Sequence, residues 1–468
     1  MKKLVLLIIT ACMIVTCFAC GNKKKDDLRV RIPIYPDPTP WAKLPEYNFK
    51  GADFRISNRE EYGGLEVVVD DETSEDIVDE ALLLRNAKVE DRYNVEIVRQ
   101  DNSSASHINT VLSDLAAKKG TFDLAMTSAG ESSPIITSGA VYDWAKLPYT
   151  HLDESFWLGK MNEAFTVQGV IYTAVSKMCI STVAKTSALA YNRTLGEAWK
   201  GKNFTKELID TVCDGDWTYD ELMSIINKYG SQDDSCAFYM TADESIDTWH
   251  AVWEIPCVEN DAEKGLTDVY MNEKLRSFTS RMHTMYYDTD GIRYGTKEEA
   301  IGAFMDDKAL FTTITMSDAL DVLHGKSGYM IIPQPKYDDN QKEYRSAMYA
   351  DYSVMSAPNT ADPTLVSLIV EALSVASEMH NYPTYKHDAL QAMTTADAES
   401  TFDIVLEKAS WDIATLLSSE VNMIGLVRND VLDNPGNSKL EESYIDMKDT
   451  IADILAEVMS AVDEKSES

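Results

Sequence analysis

The spacing of hydrophobic positions changes between two periods along the first part of this 468-residue chain. Alternating apolar residues predict strands at 52–57, 94–98 and 122–126. Apolar residues three and four positions apart predict helices at 74–93 and 105–119. Strand, helix, strand, helix, strand is the order of an α/β domain with parallel strands. We therefore expect the folded body to begin with such a domain.

Both of these helices carry local markers. Ile77, Leu84 and Val89 lie among charged residues of the first helix and are its expected apolar positions. Gly120 lies just past the second helix and is expected to end it, because glycine readily adopts the left-handed conformation that follows many helices.

The second half of the chain is richer in helical patterns. Thr218 and Glu221 form a predicted capping box, with Trp217 and Leu222 at the two positions of a hydrophobic staple. Gly230 is expected to end the helix that follows. Further helices are predicted at 243–254, 272–287, 298–307, 363–379, 397–419 and 440–462, with short strands at 309–313 and 329–332.

The N-terminus has the pattern of an export signal. Two lysines precede an apolar run from Leu4 to Phe18, which at about 15 residues is shorter than the ~20 that a membrane span needs. The run ends at Ala-Cys, which resembles the lipobox of bacterial lipoproteins and predicts a lipid on Cys20. An ordinary cleaved signal with a free cysteine is the alternative. We expect a signal peptide at 1–19 and a lipidated N-terminus with a proline-rich tether at 20–47.

Composition narrows the class of protein. The formal net charge of −34 disfavours a nucleic-acid partner. Beyond the signal and lipidation cysteines the chain has no CxxC pair, and it has no histidine at metal-ligand spacing, so no metal or other cofactor is expected. After the signal and lipidation cysteines, four remain, and we expect them to be buried thiols, although a disulfide stays open: Cys179, Cys213, Cys236 and Cys257.

Five short motifs occur in a familiar order behind the lipobox. They are GTFDL at 120–124, AYNR at 190–193, WTYDEL at 217–222, FMDDKALF at 304–311 and IPQPKY at 332–337. Together they resemble the extracellular solute-binding proteins, family 1, of ABC importers, typified by maltose-binding and other sugar-binding lipoproteins. Asp307 stands where that family commonly has glycine.

The resemblance implies a helix-rich α/β fold of type II, with two lobes joined by hinge crossings near 182–189 and 349–358. The implied lobes are 48–184 plus 355–400 for the first, and 188–350 plus 401–468 for the second. It also implies a lipid-anchored, extracytoplasmic monomer that closes on a sugar and delivers it to a membrane permease without chemical change. The expected partners are therefore a small solute, the permease and the membrane.

Sugars present apolar faces and a rim of hydroxyls, so a site for them needs aromatic rings beside Asp, Asn, Arg or Gln. Strand ends and hinges supply the candidates. They are Asn58, Arg59 and Glu60 after the first strand, Ser128 and Glu131 after the third, Trp249 and Trp253 as an aromatic wall, Tyr349, Asp351 and Tyr352 in the return crossing, and Trp411 with Asp412 near the C-terminus. For Trp249 and Trp253, core packing is an equal alternative. Trp157 is assigned to the core, and Trp217 to the staple.

Three other functions remain open. A secreted glycoside hydrolase needs only two carboxylates, and acidic residues are abundant. A surface lipoprotein could bind a protein partner, although the chain has no repeats, and a solute-binding protein could take a peptide, an amino acid or a metal. A calcium-loop pattern from Asp288 to Glu299 has glycine in the wrong place and predicts a turn. Arg55, Arg59 and Arg193 would favour an acidic sugar if they faced the cleft.

Overall fold

The computed structural model describes residues 39–70, 73–230, 235–323, 325–392, 399–407 and 412–466. The predicted signal peptide, Cys20, most of the tether and Trp411 lie outside these residues.

Strands occur throughout the first three quarters of the described chain. They are β1 (Ala52–Arg59), β2 (Val95–Asn102), β3 (Leu124–Ser128), β4 (Ser187–Asn192), β5 (Cys236–Thr241), β6 (Val258–Asp261), β7 (Gly265–Asp268), β8 (Ile292–Gly295), β9 (Ala309–Thr315), β10 (Tyr329–Ile332) and β11 (Ser353–Ser356).

Helices connect and cover the strands. They are α1 (Thr39–Lys43), α2 (Glu60–Glu66), α3 (Ile77–Tyr93), α4 (Ser104–Ala117), α5 (Ser133–Thr137), α6 (Gly159–Phe165), α7 (Ser181–Ala184), α8 (Arg193–Lys200), α9 (Asn203–Asp214), α10 (Tyr219–Tyr229), α11 (Glu244–Val252), α12 (Glu273–His283), α13 (Lys297–Met305), α14 (Met316–Asp321), α15 (Pro363–Met379), α16 (Asn381–Ala392), α17 (Glu399–Glu407), α18 (Met423–Asp433) and α19 (Leu440–Ser466). Short 3₁₀ turns lie at Ala129–Glu131, Trp144–Lys146 and Ile413–Leu417, and a π turn lies at Thr284–Asp288.

Two mixed sheets define two lobes. The first lobe is built on a sheet of order β11-β3-β1-β2, in which β1 is parallel to β2 and β3, as predicted, while β11 runs antiparallel to β3. The second lobe is built on a sheet of order β10-β4-β9-β5-β8, in which β4 is antiparallel to both neighbours. The strands β6 and β7 form a separate hairpin.

The chain passes from the first sheet to the second between β3 and β4 and returns between β10 and β11. The crossings that the resemblance implied near 182–189 and 349–358 overlap the ends of these two passages. The limits of the lobes in the sequence stay a prediction, since α16 packs against both α3 of the first lobe and α14 of the second.

The core of the first lobe forms where α3 and α15 pack together over the sheet. Phe54 of β1 is fully buried there, and Trp144 and Trp157 meet edge to face with ring centroids 5.7 Å apart. The indole Nε1 of Trp157 donates to the buried carboxylate of Glu371 at 2.8 Å. The assignment of Trp157 to the core agrees with this position.

Helix ends differ in detail from the predictions. Lys118, not Gly120, takes the left-handed conformation that ends α4, and its amide N–H donates to the carbonyl oxygens of Asp114 and Leu115. In α3, Val89 is fully buried, but Ile77 and Leu84 are 43% and 54% exposed, so two of its three expected apolar positions lie off the buried face. The buried face instead runs through Val78, Leu82 and Val89 at helical spacing.

The predicted cap of α10 is half formed. The Thr218 side chain accepts from the Glu221 amide at 3.4 Å, and Trp217 and Leu222 are buried at the staple positions. Gly230 ends the helix as predicted. Complete capping boxes instead begin α13, with Thr296, and α14, with Thr315.

Asp307 explains how this chain does without the glycine common at its position. Its φ is +57°, a left-handed conformation that Asp tolerates better than most residues. One carboxylate oxygen accepts from Asn192 Nδ2 at 2.7 Å and from Lys326 Nζ at 2.8 Å. These two bonds hold a conformation that would otherwise be strained.

The last part of the predicted tether belongs to the folded body. Residues 39–43 form α1, which packs against α15, and Leu44 is buried. Trp41 lies beneath Lys88 and Arg92 of α3, at 4.9 and 5.1 Å from its ring centroid. The prediction of an extended tether to residue 47 is therefore wrong from Thr39 onward, because these apolar side chains find a surface to cover.

Helix α19 joins the lobes at the C-terminus. It packs against α5, β7 and α18, and Ala461 in it accepts a hydrogen bond from the Tyr172 hydroxyl at 2.7 Å. Three of the four described cysteines are buried, but Cys213 is exposed, and all four are free thiols. None of the helices within the described ranges is long and apolar enough for a membrane span.

Replacing Phe54 with alanine tests the core of the first lobe. We expect Phe54→Ala to lower the free energy of unfolding by about 3–5 kcal/mol, because a fully buried ring leaves a cavity in a central strand. Urea unfolding measures the change. The matched control is Leu84→Ala on the exposed face of α3, for which a change within about 0.5 kcal/mol is expected.

Candidate functional site

A cavity of about 360 Å³ lies where the return passage meets the second lobe. Its walls come from residues 347–352, here called the return segment, from one face of α11, from residues 412–428 and from Lys185 and Lys297. Its volume is near the lower end of the ~300–1,000 Å³ range of small-molecule sites. We refer to it as the cleft cavity.

Four of the residues chosen from the sequence line the cleft cavity. Tyr349, Asp351 and Tyr352 lie in the return segment, and Asp412 lies across from them. The ring of Tyr352 is buried, so it supports the wall. Both carboxylate oxygens of Asp412 accept backbone bonds, from Cys257 N at 2.7 Å and Ala414 N at 2.9 Å, so this side chain also shapes the wall.

The Asp351 carboxylate, on the return segment, contacts both the outgoing passage and the first lobe. One carboxylate oxygen pairs with Lys185 Nζ at 2.8 Å and accepts from the Tyr62 hydroxyl at 3.0 Å. Its other oxygen, Oδ1, is buried without a hydrogen-bond partner in the described part of the chain. Lys185 follows α7 on the outgoing passage, and Tyr62 belongs to α2 of the first lobe. The return segment is therefore held to both.

Arg59, at the carboxyl end of β1, holds the same segment from the first lobe. Its guanidinium donates to the carbonyl oxygen of Asp351 and to Ser353 Oγ, and it lies over the Tyr62 ring at 4.2 Å. It is 3% exposed and does not line the cavity. Arg59 therefore supports the return segment from behind and is not placed to contact a ligand in the cavity.

A second link between the two passages was missed from the sequence. Glu66 at the end of α2 is fully buried, and its Oε1 accepts from Ser181 N at 2.8 Å and from Ser181 Oγ at 2.5 Å. Ser181 Oγ in turn accepts from the Ser353 amide at 2.8 Å. Burial raises the pKa of Glu66. An acidic residue at a helix end carries no sequence sign that it will be enclosed.

The other candidates from the first lobe lie outside the cavity. Asn58 is buried and donates to Asp101 at 2.7 Å, and Glu60 is exposed on α2. Ser128 Oγ donates to the Ala350 carbonyl at 3.0 Å, which supports the return segment from behind. Glu131 is half-buried, and burial raises its pKa. The expectation that strand ends of the first lobe face the cavity directly is corrected, because the return segment covers them.

Trp249 and Trp253 belong to the core. Both are fully buried, their ring centroids are 5.1 Å apart, and Trp253 Nε1 donates to the Pro335 carbonyl at 3.0 Å. They do not line the cleft cavity, so the aromatic wall is not formed by this pair. Their position agrees with the alternative stated above, that both tryptophans pack in the core.

The same helix supplies the cavity wall through its opposite face. Glu244, Asp247, Thr248 and Ala251 all line the cavity, at the three- and four-residue spacing of one helical stripe. These residues were missed from the sequence, although the helix itself was predicted. The sequence did contain a sign of this face: Glu244, Asp247 and Thr248 form a polar stripe on the side of the helix opposite the two tryptophans.

Every cation of the cleft cavity already has a carboxylate partner. Lys185 pairs with Asp351 at 2.8 Å, and Lys297 pairs with Asp318 at 2.9 Å. Arg428 of α18 donates to Asp247. Glu244 has no cation within ion-pair distance among the residues that the structure describes.

Burial dominates the electrostatics of the two acids on α11. It raises the pKa of Asp247 to about 7, against the opposing effect of Arg428 and with help from Asp243 and Glu244. Burial also raises the pKa of Glu244. Asp247 Oδ1 is buried without a partner in the described chain. An unsatisfied buried acceptor costs about 1–3 kcal/mol, so this atom favours a ligand that donates a hydrogen bond.

Metal binding finds no support in the described ranges. No group of three or more His, Cys, Asp and Glu side chains there is placed to hold an ion. The turn at residues 288–291 is followed directly by β8, and Gly291 has a φ of +94°. This agrees with the prediction of a turn at the calcium-like pattern.

Comparison with known proteins places the fold. No protein-family model matches the chain, and no curated protein matches it in sequence. Solved structures match over most of the chain at low identity. The sugar-binding protein MalE of Xanthomonas citri matches with a TM-score of 0.60 and 12% identity, covering 88% of this chain and 99% of the other.

Two further structures give the same picture. The GacH receptor of Streptomyces glaucescens, solved unliganded and with acarbose, has a TM-score of 0.55 and 11% identity, covering 87% of this chain and 99% of the other. The galacto-N-biose/lacto-N-biose I-binding protein of a Bifidobacterium longum ABC transporter has a TM-score of 0.53 and 12% identity, covering 87% and 98%. The predicted two-lobe α/β fold of the solute-binding proteins is confirmed, as a likeness of fold.

Arg59 provides a test of the support behind the site. We expect Arg59→Met to lower the free energy of unfolding by about 2–3 kcal/mol, because two hydrogen bonds from a buried charged donor are lost. Chemical denaturation measures it. The control is Arg345→Met, whose half-exposed ion pairs with Glu254 and Glu343 should contribute about 0–1 kcal/mol. Equal losses in the two variants would contradict the assigned role.

Asp247 makes a prediction about pH. Its pKa is about 7 in the folded protein and 3.8 ordinarily, so the folded state holds the proton more tightly than the unfolded state. Its contribution to stability is therefore fully present below about pH 4 and is lost as the pH rises through about 7. We expect the stability of the wild type, relative to Asp247→Asn, to fall between pH 4 and pH 8 in urea unfolding. A constant difference would contradict this.

Proposed function

We propose that the protein is the substrate-binding component of an ABC importer and captures a small carbohydrate in the cleft cavity. The observation that carries the proposal is the position of that cavity. It lies beside the return segment, which Lys185, Tyr62 and Arg59 connect to the outgoing passage and to the first lobe, while α11 and α18 of the second lobe form the opposite wall.

This arrangement suits binding by closure. A ligand that touches both the return segment and α11 stabilises the conformation in which the two approach, by the difference in its affinity for the two states. Three structural neighbours are a sugar-binding protein, a receptor solved with acarbose and a protein solved with lacto-N-biose. Their functions support a sugar as the ligand here.

The location of the protein belongs to the same proposal. The Ala-Cys sequence at residues 19–20 supports a lipid anchor on Cys20, which would hold the body outside the cytoplasm near its permease. We propose that the protein binds its solute without cleaving it.

Blocking the cavity tests the function. We expect purified protein to gain about 2.7 kcal/mol of stability from the right sugar at 100 times its dissociation constant, in thermal unfolding against a panel of oligosaccharides, peptides and metal ions. Ala251→Trp places a ring in the cavity from α11 and should abolish the gain. The matched control, Ala262→Trp on the exposed turn between β6 and β7, should retain it.

The outcomes separate the alternative functions. A gain from peptides or metals alone would assign another solute class. Release of reducing ends from a glycoside would instead indicate a hydrolase. A sugar response that survives Ala251→Trp would place the site elsewhere.

A further inference from the structure

The charges of the cleft cavity do not balance. Three cations line it, Lys185, Lys297 and Arg428, and each already has a carboxylate partner. The carboxylates that line it are Glu244, Asp247, Asp351 and Asp412. A ligand thus meets cations that are occupied and at least one carboxylate, that of Glu244, that forms no direct ion pair with a described residue, although Lys297 lies near enough to act on it electrostatically.

Two acceptor atoms of the cavity also lack donors. Asp247 Oδ1 and Asp351 Oδ1 are buried, and neither has a hydrogen-bond partner in the described chain. An ionised carboxylate oxygen can only accept, so Asp351 Oδ1, and Asp247 Oδ1 whenever Asp247 is ionised, favour a ligand that supplies donors. They lie on opposite walls, one on α11 and the other on the return segment.

Glu244 and Asp247 are three residues apart on α11. Side chains at this spacing are neighbours on a helix surface, so one group can contact both carboxylates. Both lie in the first turn of α11, where the helix dipole favours negative charge. A cationic donor placed there can contact both carboxylates at once.

The remaining lining is suited to a polyol and not to a bare ion. Thr248, Thr415, Ser418 and Asn422 line the cavity with hydroxyl and amide groups. The described residues hold no cluster that could ligate a metal.

The arginines that would have recognised an acidic sugar are engaged elsewhere. Arg55 forms a two-point pair with Asp123, each bond 2.9 Å long, and Arg193 pairs with Glu197 at 2.6 Å. Arg59 binds the return segment from behind. None of the three lines the cavity.

We propose that the solute is a small polyhydroxylated molecule that carries a protonated amine, of the amino-sugar class, and that Glu244 and Asp247 bind its ammonium group. This inference rests on the proposed function and names the substrate class of the same cavity. Because the cations are already paired, sugars that carry a carboxylate are selected against. Neutral sugars offer Glu244 hydroxyl donors but no positive charge.

Sets of sugars matched in shape but differing in charge provide the test. Isothermal titration measures the binding of glucosamine, glucose and glucuronate, of their galacto counterparts, and of the β-1,4-linked dimers of glucosamine and glucose. The neutral oligosaccharide panel is run in parallel. We expect an amino member to bind about tenfold tighter or more than its neutral and acidic counterparts.

Glu244→Gln removes the charge and keeps the shape. It should weaken binding of the amino sugar by about tenfold or more and so remove most of its advantage over the neutral counterpart. The matched control is Glu263→Gln, the same change on the exposed turn of the same lobe, and it should leave both affinities unchanged.

The possible failures are distinguishable. If a neutral or acidic sugar binds as tightly as its amino counterpart, or if Glu244→Gln leaves the preference unchanged, the inference is wrong and the proposed function stands. Equal binding of a simple diamine such as putrescine, in place of the amino sugar, also overturns it. If no sugar of any charge binds, the proposed function fails, and the inference fails with it.

Discussion

The ion pair between Asp351 and Lys185 is the interaction on which the rest of the site depends. It joins the segment leaving the first lobe to the segment that returns, at a point that Tyr62 and Arg59 also fasten to the first lobe. A pair that is partly shielded from water is stronger than a surface pair, and here the Tyr62 hydroxyl also donates to the Asp351 carboxylate. The return segment is therefore a defined wall and not a loose loop, which gives a cavity of fixed shape beside it.

The opposite wall carries a different kind of constraint. The acids of α11 lose solvation in the cavity, which raises their pKa values, while the start of the helix favours their negative charge. Arg428 neutralises only one of them. A ligand that supplies hydrogen-bond donors satisfies Asp247 Oδ1, which has no partner in the described chain. Such a site gains specificity from the groups left unpaired when the wrong ligand enters.

Much of the fold was predictable because it depends on patterns of neighbouring residues in the sequence. The strands of the first sheet, the limits of α15 at residues 363–379 and the staple at Trp217 all follow from periodicity and capping over a few residues. The site was harder. Periodicity predicted the helix that carries Trp249 but could not decide which of its faces meets the core, and large aromatic rings are as valuable in a core as in a sugar site. Glu66 and Arg59 were likewise ambiguous, since burial of a charge depends on partners far along the chain.

By itself, the sequence determined the order of elements, the export signal as a prediction, and an acidic chain with the motifs of a two-lobe binding protein. It did so because these features depend on neighbours within a few turns or on composition alone. Only the tertiary structure decided that the return segment covers the strand ends, that α11 turns Glu244 and not Trp249 toward the cavity, and that each cation there already has a partner. Most of those facts arise from contacts between residues distant in the sequence, such as Arg428 with Asp247 and Lys185 with Asp351, which no local pattern records.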